Sequence, residues 1–172
     1  MAGSLIKIQE TIVTSAVASV TLTGIDSTYD VYMVRVNSLV PATDGSNPRM
    51  RVTESGTGNS TTNYDVAQKN LDANATFGNG ATTNQTSFFG FASVGNSAGE
   101  SSSCIMYLFN FNNASEYSFC TWEGTGVVSD GTAEGRQGGG VFTSSSVCDG
   151  VQFFFSSGNI DNGTFTLYGL KK

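Results

Sequence analysis

The chain has 172 residues, a length that suits one domain over residues 1–172 with its own core. Only 13% of the residues are charged, so Ser, Thr, Asn and Gly must supply much of the polar surface. The net charge is −6 and the eight Lys and Arg residues are scattered, which argues against a nucleic-acid partner and against binding to anionic membranes. The sequence contains no run of about 20 apolar residues, so no membrane-spanning helix is predicted.

The N-terminus and the cysteines predict folding in a reducing cytosol. The opening residues MAGSLIKIQETIV lack a basic start followed by a long apolar stretch, so no signal peptide is predicted. Three cysteines, Cys104, Cys120 and Cys148, are an odd number, which argues against a disulfide framework. We expect three buried thiols, with one disulfide and one free thiol as the alternative.

The first half of the chain predicts strands separated by turn residues. No segment sustains a helical period, whereas short apolar runs and two-residue alternation recur. The predicted strands cover residues 5–13, 17–23, 29–40 and 48–54. In the first of them, Ile6, Ile8 and Ile12 fall on one face. The polar stretch 55–86 is predicted to be a long loop with one short strand near Tyr64.

The second half continues the same pattern. Its predicted strands cover residues 87–92, 103–111, 116–123, 140–145, 151–156 and 164–170. The turn at residues 112–115 joins two aromatic-rich runs and is the strongest hairpin signal in the sequence. The glycine-rich stretch 124–139 is predicted to be a second polar loop.

About ten short strands without helices predict an all-β fold, an antiparallel β-sandwich or a barrel. A jelly-roll-like sandwich is the first choice because it accommodates eight or more strands and long loops. An immunoglobulin-like Greek key is the second choice, although Trp122 follows Cys120 too closely for the Cys-Trp-Cys order of that fold.

Catalytic and metal-binding patterns are weak, so we expect no enzyme, no cofactor and no metal. Histidine is absent, which removes the commonest general base and zinc ligand. Glu116 and Glu123 flank one predicted strand at an odd separation, which places them on opposite faces rather than as an acid/base pair. The acidic turns at 130–135 and 161–163 lack the ligand spacing of an EF-hand.

The aromatic content indicates an interface. Phenylalanine dominates it, and the run at residues 153–155 must place at least one ring away from one face of its sheet. Either both faces are covered, or one face packs on a neighbouring subunit. We therefore expect a homo-oligomer.

The C-terminal sequence GTFTLYGL, residues 163–170, follows an SGN segment at 157–159 and resembles the last strand of a group of small bacteriophage virion proteins. The opening is also similar: Thr11-Ile12 ends the first strand, Gly24-Ile25 ends the second, and a strand begins at Tyr29. The resemblance covers the two ends of the chain better than its middle. It implies a jelly-roll-like structural domain, often trimeric, on the phage particle.

From this resemblance we expect a virion protein, most simply a head-decoration (cement) protein that contacts the major capsid protein or other virion proteins. Within residues 1–13, the segment 2–9 is expected to be either an N-terminal arm that reaches the capsid or an ordinary first strand. The expected interface residues are Leu5, Ile6, Ile8, Phe153, Phe155 and Tyr168. The first alternative is a tail or neck appendage that contacts the host through the two polar loops, with Tyr64 and Phe77 as contact residues. The second is a carbohydrate-binding module that uses Trp122 and the tyrosines.

Overall fold

The computed structural model describes residues 4–74, 77–90 and 94–171, and this part of the chain contains thirteen strands and no helix. The strands, numbered in chain order, are β1 Ser4–Val13, β2 Val20–Thr23, β3 Val31–Pro41, β4 Pro48–Glu54, β5 Thr57–Gly58, β6 Tyr64–Asp72, β7 Gly78–Gln85, β8 Phe88–Phe89, β9 Ser102–Phe109, β10 Ser118–Val127, β11 Ala133–Phe142, β12 Gly150–Phe155 and β13 Ile160–Lys171. The all-β prediction is confirmed, with more strands than the ten expected.

The strands form two antiparallel sheets. The large sheet has eight strands in the order β1-β13-β3-β9-β10-β11-β6-β7. The small sheet has the order β2-β12-β4-β5, and β8 also pairs with β4. Two packed sheets that share one core are the architecture of a β-sandwich.

Strand pairing is nested, which gives the connectivity of a jelly roll. The first strand pairs with the last, β1 with β13, and the second with the last but one, β2 with β12. Inside these pairs, β3 pairs with β9 and β4 with β8. The remaining long strands, β6, β7, β10 and β11, extend the large sheet beyond β9. This order favours the jelly roll over the immunoglobulin-like alternative.

The core lies between the two sheets and is built from the alternating inward positions of both. Both sheets contribute side chains that are fully buried in this core. They include Leu22, Met50 and Val151 from the small sheet and Val34, Met106 and Phe165 from the large sheet. Burial of such side chains from water is the main stabilising term in a domain of this size.

The two predicted polar loops are wrong, because both stretches contain strands. Residues 55–86 include β5, β6 and β7, and residues 124–139 contain the end of β10 and most of β11. Strands β6 and β7 pair with each other, and β6 pairs with β11. Of the strand predicted at residues 87–92, the structure shows β8, while residues 91 and 92 lie outside the described part.

Glycines explain why β11 does not look like a strand in the sequence. A Cβ added at Gly138 would stand 2.9 Å from the Trp122 ring, and one at Gly140 would stand 2.6 Å from the Phe88 ring. Both rings are buried, Trp122 at 2% exposure and Phe88 at 0%. The glycines therefore let two large aromatic side chains pack directly on the backbone of β11.

A β-bulge changes the predicted face of the first strand. The pairing of β1 with β13 shifts between Lys7 and Gln9, so one extra residue, Ile8, interrupts the alternation. Ile6 pairs opposite Gly169 and Ile12 opposite Thr164, which are positions of opposite parity on β13. Ile6 and Ile12 therefore lie on opposite faces of the sheet, contrary to the prediction.

Replacing Gly140 by Ala should destabilise the fold by roughly 1–3 kcal/mol, because the new methyl group overlaps the buried Phe88 ring. Gly135→Ala is the matched control on the same strand, since its nearest neighbours lie at ordinary contact distance, 3.4 Å or more. Urea unfolding of both variants measures the difference. Equal stability of the two variants would contradict the packing described for β11.

Candidate functional site

The large sheet has one covered side and one open side. Along β9, Cys104, Met106 and Leu108 are buried, whereas Ser103, Ile105 and Tyr107 are exposed. Strand β10 repeats this alternation. We call the side that carries Ile105 and Tyr107, opposite the core, the outer face.

Register places several apolar side chains of the outer face in one row across the strands. Val31 of β3 pairs with Phe109 of β9, Phe109 pairs with Phe119 of β10, and Phe119 pairs with Val141 of β11. Phe119 is 43% exposed. Neighbouring aromatic and β-branched side chains on one face of a sheet pack against each other, so this row forms a continuous apolar strip.

The next row contains Tyr168, Met33, Tyr107, Thr121 and Gly139 on consecutive strands from β13 to β11. Large side chains occupy this row on β13, β3 and β9, whereas Thr121 and Gly139, followed by Ala67 and Ala81, occupy it on β10, β11, β6 and β7. The result is a raised half of the face and a depressed half.

The depressed half contains an open groove of about 590 Å³ between β10, β11, β6 and β7, lined by residues that include Ala67, Ala81, Phe119, Gly139 and Val141. A second groove, of about 390 Å³, is lined by residues that include Ile105, Tyr107, Thr121 and Gln137. Both grooves are shallow, so each presents a broad surface to a partner rather than an enclosed pocket.

Charged side chains form a third row. It contains, from β1 to β6, Glu10, Thr166, Arg35, Ile105, Glu123, Gln137 and Lys69. Acidic and basic residues alternate along it and are separated by uncharged ones. Glu123 accepts a 2.6 Å hydrogen bond from Gln137, which holds its carboxylate on the outer face.

Two further contacts position the β1 end of this row. The Lys7 ammonium donates a hydrogen bond of 3.2 Å to Glu10, and Thr166 Oγ1 donates another to the same carboxylate. Both contacts lower the pKa of Glu10, so it is ionised at neutral pH. The Arg35 guanidinium lies 6.0 Å from the centre of the Tyr168 ring.

Three of the residues predicted from the sequence are core residues instead. Phe153 and Phe155 are 3% and 5% exposed because they alternate toward the core on β12. The outward ring of the phenylalanine run is Phe154, and the Arg51 guanidinium covers it at 4.4 Å. Tyr64 is fully buried, and its hydroxyl donates a 2.7 Å hydrogen bond to the Asn59 carbonyl. These three side chains are therefore not available for contact with a partner.

The other predicted residues are accessible but do not form one cluster. Leu5 and Ile6 are 46% and 39% exposed on the edge strand β1, while Ile8 is half-buried and packs on the core. Tyr168 is half-buried on the outer face. Phe77 is 67% exposed just before β7, far from β1 in the strand order.

The outer face itself was missed as a functional surface. Its members Ile105, Tyr107 and Phe119 alternate with buried residues, and this two-residue period carries the signal in the sequence. The signal becomes readable only when the register of β9 and β10 is known, because the period alone does not say which strands are neighbours.

The described residues hold no group of three or more potential metal ligands. Asp130 closes its own turn by accepting a 2.9 Å hydrogen bond from the Thr132 amide, and Glu116 accepts hydrogen bonds from Asn110 and Asn113. Glu116 precedes β10, so it is not paired with Glu123 across that strand. These carboxylates act locally in turns.

Comparison of the sequence with protein-family models and with the curated proteins gives no match. In residues 4–74, 77–90 and 94–171 the structure contains no helix that is long and apolar enough to cross a membrane. The outer face of the large sheet is therefore the candidate functional surface.

Phe153→Ala should destabilise the protein by about 3–5 kcal/mol, because it empties a buried site between the sheets. Phe119→Ala removes the same ring from the outer face and should cost less than about 1 kcal/mol. Chemical denaturation of both variants tests the assignment of the two phenylalanines. A large loss of stability in Phe119→Ala with little loss in Phe153→Ala would contradict the assignment of Phe153 to the core and Phe119 to the outer face.

The three cysteines should resist modification in the folded protein. All are free and buried, and burial raises the pKa of the Cys104 thiol to about 12 and also raises that of Cys120 and Cys148. At neutral pH the reactive thiolate is therefore scarce. We expect the three thiols to react slowly with an aromatic disulfide reagent in buffer. In guanidinium chloride they should react rapidly and release three equivalents of the aromatic thiolate. Rapid native labelling would contradict the burial.

Proposed function

We propose that the chain is a structural protein of a bacteriophage particle, and that it decorates the head and stabilises the shell. The nested jelly-roll pairing is the observation that carries the proposal, because the virion proteins that the C-terminal sequence resembles have this type of fold. In the structure the resembling segment, residues 163–170, lies in β13 between β1 and β3.

The two surfaces available for assembly support the same proposal. Strand β1 is an edge of the large sheet, and its unpaired backbone edge can accept another strand. Ile6 adds exposed apolar surface to that edge. The outer face is a second, larger surface, so one chain can contact two neighbours at once.

A decoration protein of this kind acts by binding the assembled shell and not the separated subunits. Its binding free energy then adds to the stability of the shell by mass action. The role requires no catalytic group, and a net charge of −6 keeps the free protein soluble before assembly.

Immunogold electron microscopy of intact particles, with an antibody to this chain, tests the location. Label distributed over the head, with hundreds of copies per particle, is the expected result. Label confined to the tail or neck would contradict head decoration, and absence from purified particles would contradict a virion role altogether.

Ile6→Asp should weaken binding of the purified protein to heads that lack it by at least about tenfold, because a carboxylate would be desolvated at the edge contact. Val147→Asp is the matched control, since Val147 is 47% exposed in the segment between β11 and β12. Circular dichroism checks that both variants fold. Equal binding of the two variants would exclude the β1 edge as the capsid contact.

A tail or neck appendage is the second candidate, and the exposure of Phe77 favours it. This ring is 67% exposed at the opposite end of the large sheet from β1, as a tip residue that contacts a host surface would be. Copy number distinguishes the two roles, since an appendage is present in a dozen or fewer copies.

A further inference from the structure

We propose that two copies of this chain associate through their outer faces, around a two-fold axis that runs along β9 and passes close to Ile105. The row of charged residues on the outer face is centred on Ile105. In that row Arg35 lies one strand to one side of Ile105, and Glu123 lies one strand to the other side. A two-fold axis parallel to β9 exchanges these two positions.

When two outer faces meet around this axis, Arg35 of each copy faces Glu123 of the other, and the two Ile105 side chains meet at the centre. The positions next in the row, Thr166 and Gln137, are likewise exchanged, but Thr166 is fully buried and its hydroxyl is bonded to Glu10, so this pair adds no contact between copies. Three strands from the axis, Glu10 and Lys69 are exchanged. Every charged position in the row therefore meets its opposite charge.

The apolar rows are complementary under the same operation. Phe119 is exchanged with Val31, and Phe109 meets its own copy. Tyr168 is exchanged with Gly139, which places a large side chain over a glycine, while Tyr107 on the axis meets its own copy. A raised half of one copy thus meets the depressed half of the other, as a self-complementary interface requires.

The contact nearest the axis carries the proposal. Packed sheets cross at about 30° because each is twisted, and such a crossing displaces positions one strand from the axis by only about 2–3 Å. Arg and Glu side chains accommodate that displacement, whereas the Glu10 and Lys69 pair is displaced further. Seven strands span six inter-strand spacings, and a contact of this width and about seven residues in length covers roughly 650 Å² per copy. This approaches the ~800 Å² per partner of a standard interface.

The pairing requires no particular location of the protein on the particle, and it leaves the β1 edge free for the contact proposed above. A two-fold pair also differs from the trimer that the family resemblance implies. The mass of the isolated protein in solution, measured by light scattering during size-exclusion chromatography, distinguishes a monomer, a dimer and a trimer.

Charge reversal tests the pairing directly. Arg35→Glu gives a copy with two acidic groups at the inner positions, and Glu123→Arg gives a copy with two basic groups. Each variant alone should dissociate at least about tenfold more readily than the wild type, because like charges meet across the axis. An equimolar mixture of the two variants should recover the dimer, since every acidic group then faces a basic one.

Recovery in the mixture requires contact between copies, so a loss of folding within one chain cannot imitate it. The double variant Arg35→Glu/Glu123→Arg should also form a dimer by itself. Lys171→Glu is the control, because it changes the net charge by the same amount as Arg35→Glu. Lys171 alternates with the outer-face positions of β13, such as Tyr168, and therefore does not lie on the outer face. The proposal would be overturned if the wild type is a monomer at 100 μM, if it is a trimer, or if the mixture stays monomeric. A monomeric wild type would indicate that the outer face binds a different protein.

Discussion

Pairing of the two ends of the chain is the constraint on which the structure depends. Strand β13 lies between β1 and β3, so two strands from opposite ends of this sequence are neighbours in the large sheet. Its inward side chains, Phe165 and Leu167, are fully buried in the shared core. Because the nested pairs join residues far apart in sequence, most of the fold forms only after long loops have closed, and we expect slow folding.

A second consequence of this pairing is a sheet much wider than its partner. The small sheet covers the jelly-roll part of the large one, while β10, β11, β6 and β7 extend past β9. The buried side chains of that extension, such as Trp122, Tyr64 and Phe142, belong to the same core cluster. The opposite side of the large sheet is not packed on another sheet, and its exposed apolar side chains, such as Tyr107 and Phe119, support the proposed role in assembly.

Sequence patterns predicted the parts of the fold that carry large apolar residues at a two-residue period. Strands β9, β10 and β12 were identified in this way. Strand β7 and most of β6 and β11 were missed. Their inward positions are filled partly by glycine or glutamine, and the bulk that fills the space comes from Trp122 and Phe88 on other strands. A pattern confined to one segment contains no information about side chains supplied by another.

The functional surface was less predictable than the fold. Phe153 and Phe155 suggested an interface because the run of three rings seemed too large for one core, but two sheets share that core and Arg51 covers the remaining ring. Conversely, Arg35 and Glu123 are unremarkable in the sequence, since 88 residues of chain separate two positions that lie two strands apart. Register, which side-chain chemistry alone does not determine, brings them into one row with Ile105.

We expect the outer face of the large sheet to be buried when this protein assembles. Hydroxyl-radical footprinting of the isolated chain at low and high concentration, and of any purified particle that contains it, measures this most directly. Tyr107 and Phe119 should be oxidised in the dilute protein and protected after assembly, while the exposed Tyr117 outside the sheet stays reactive. Equal oxidation of Tyr107 and Phe119 in the dilute and assembled states would show that the outer face stays exposed.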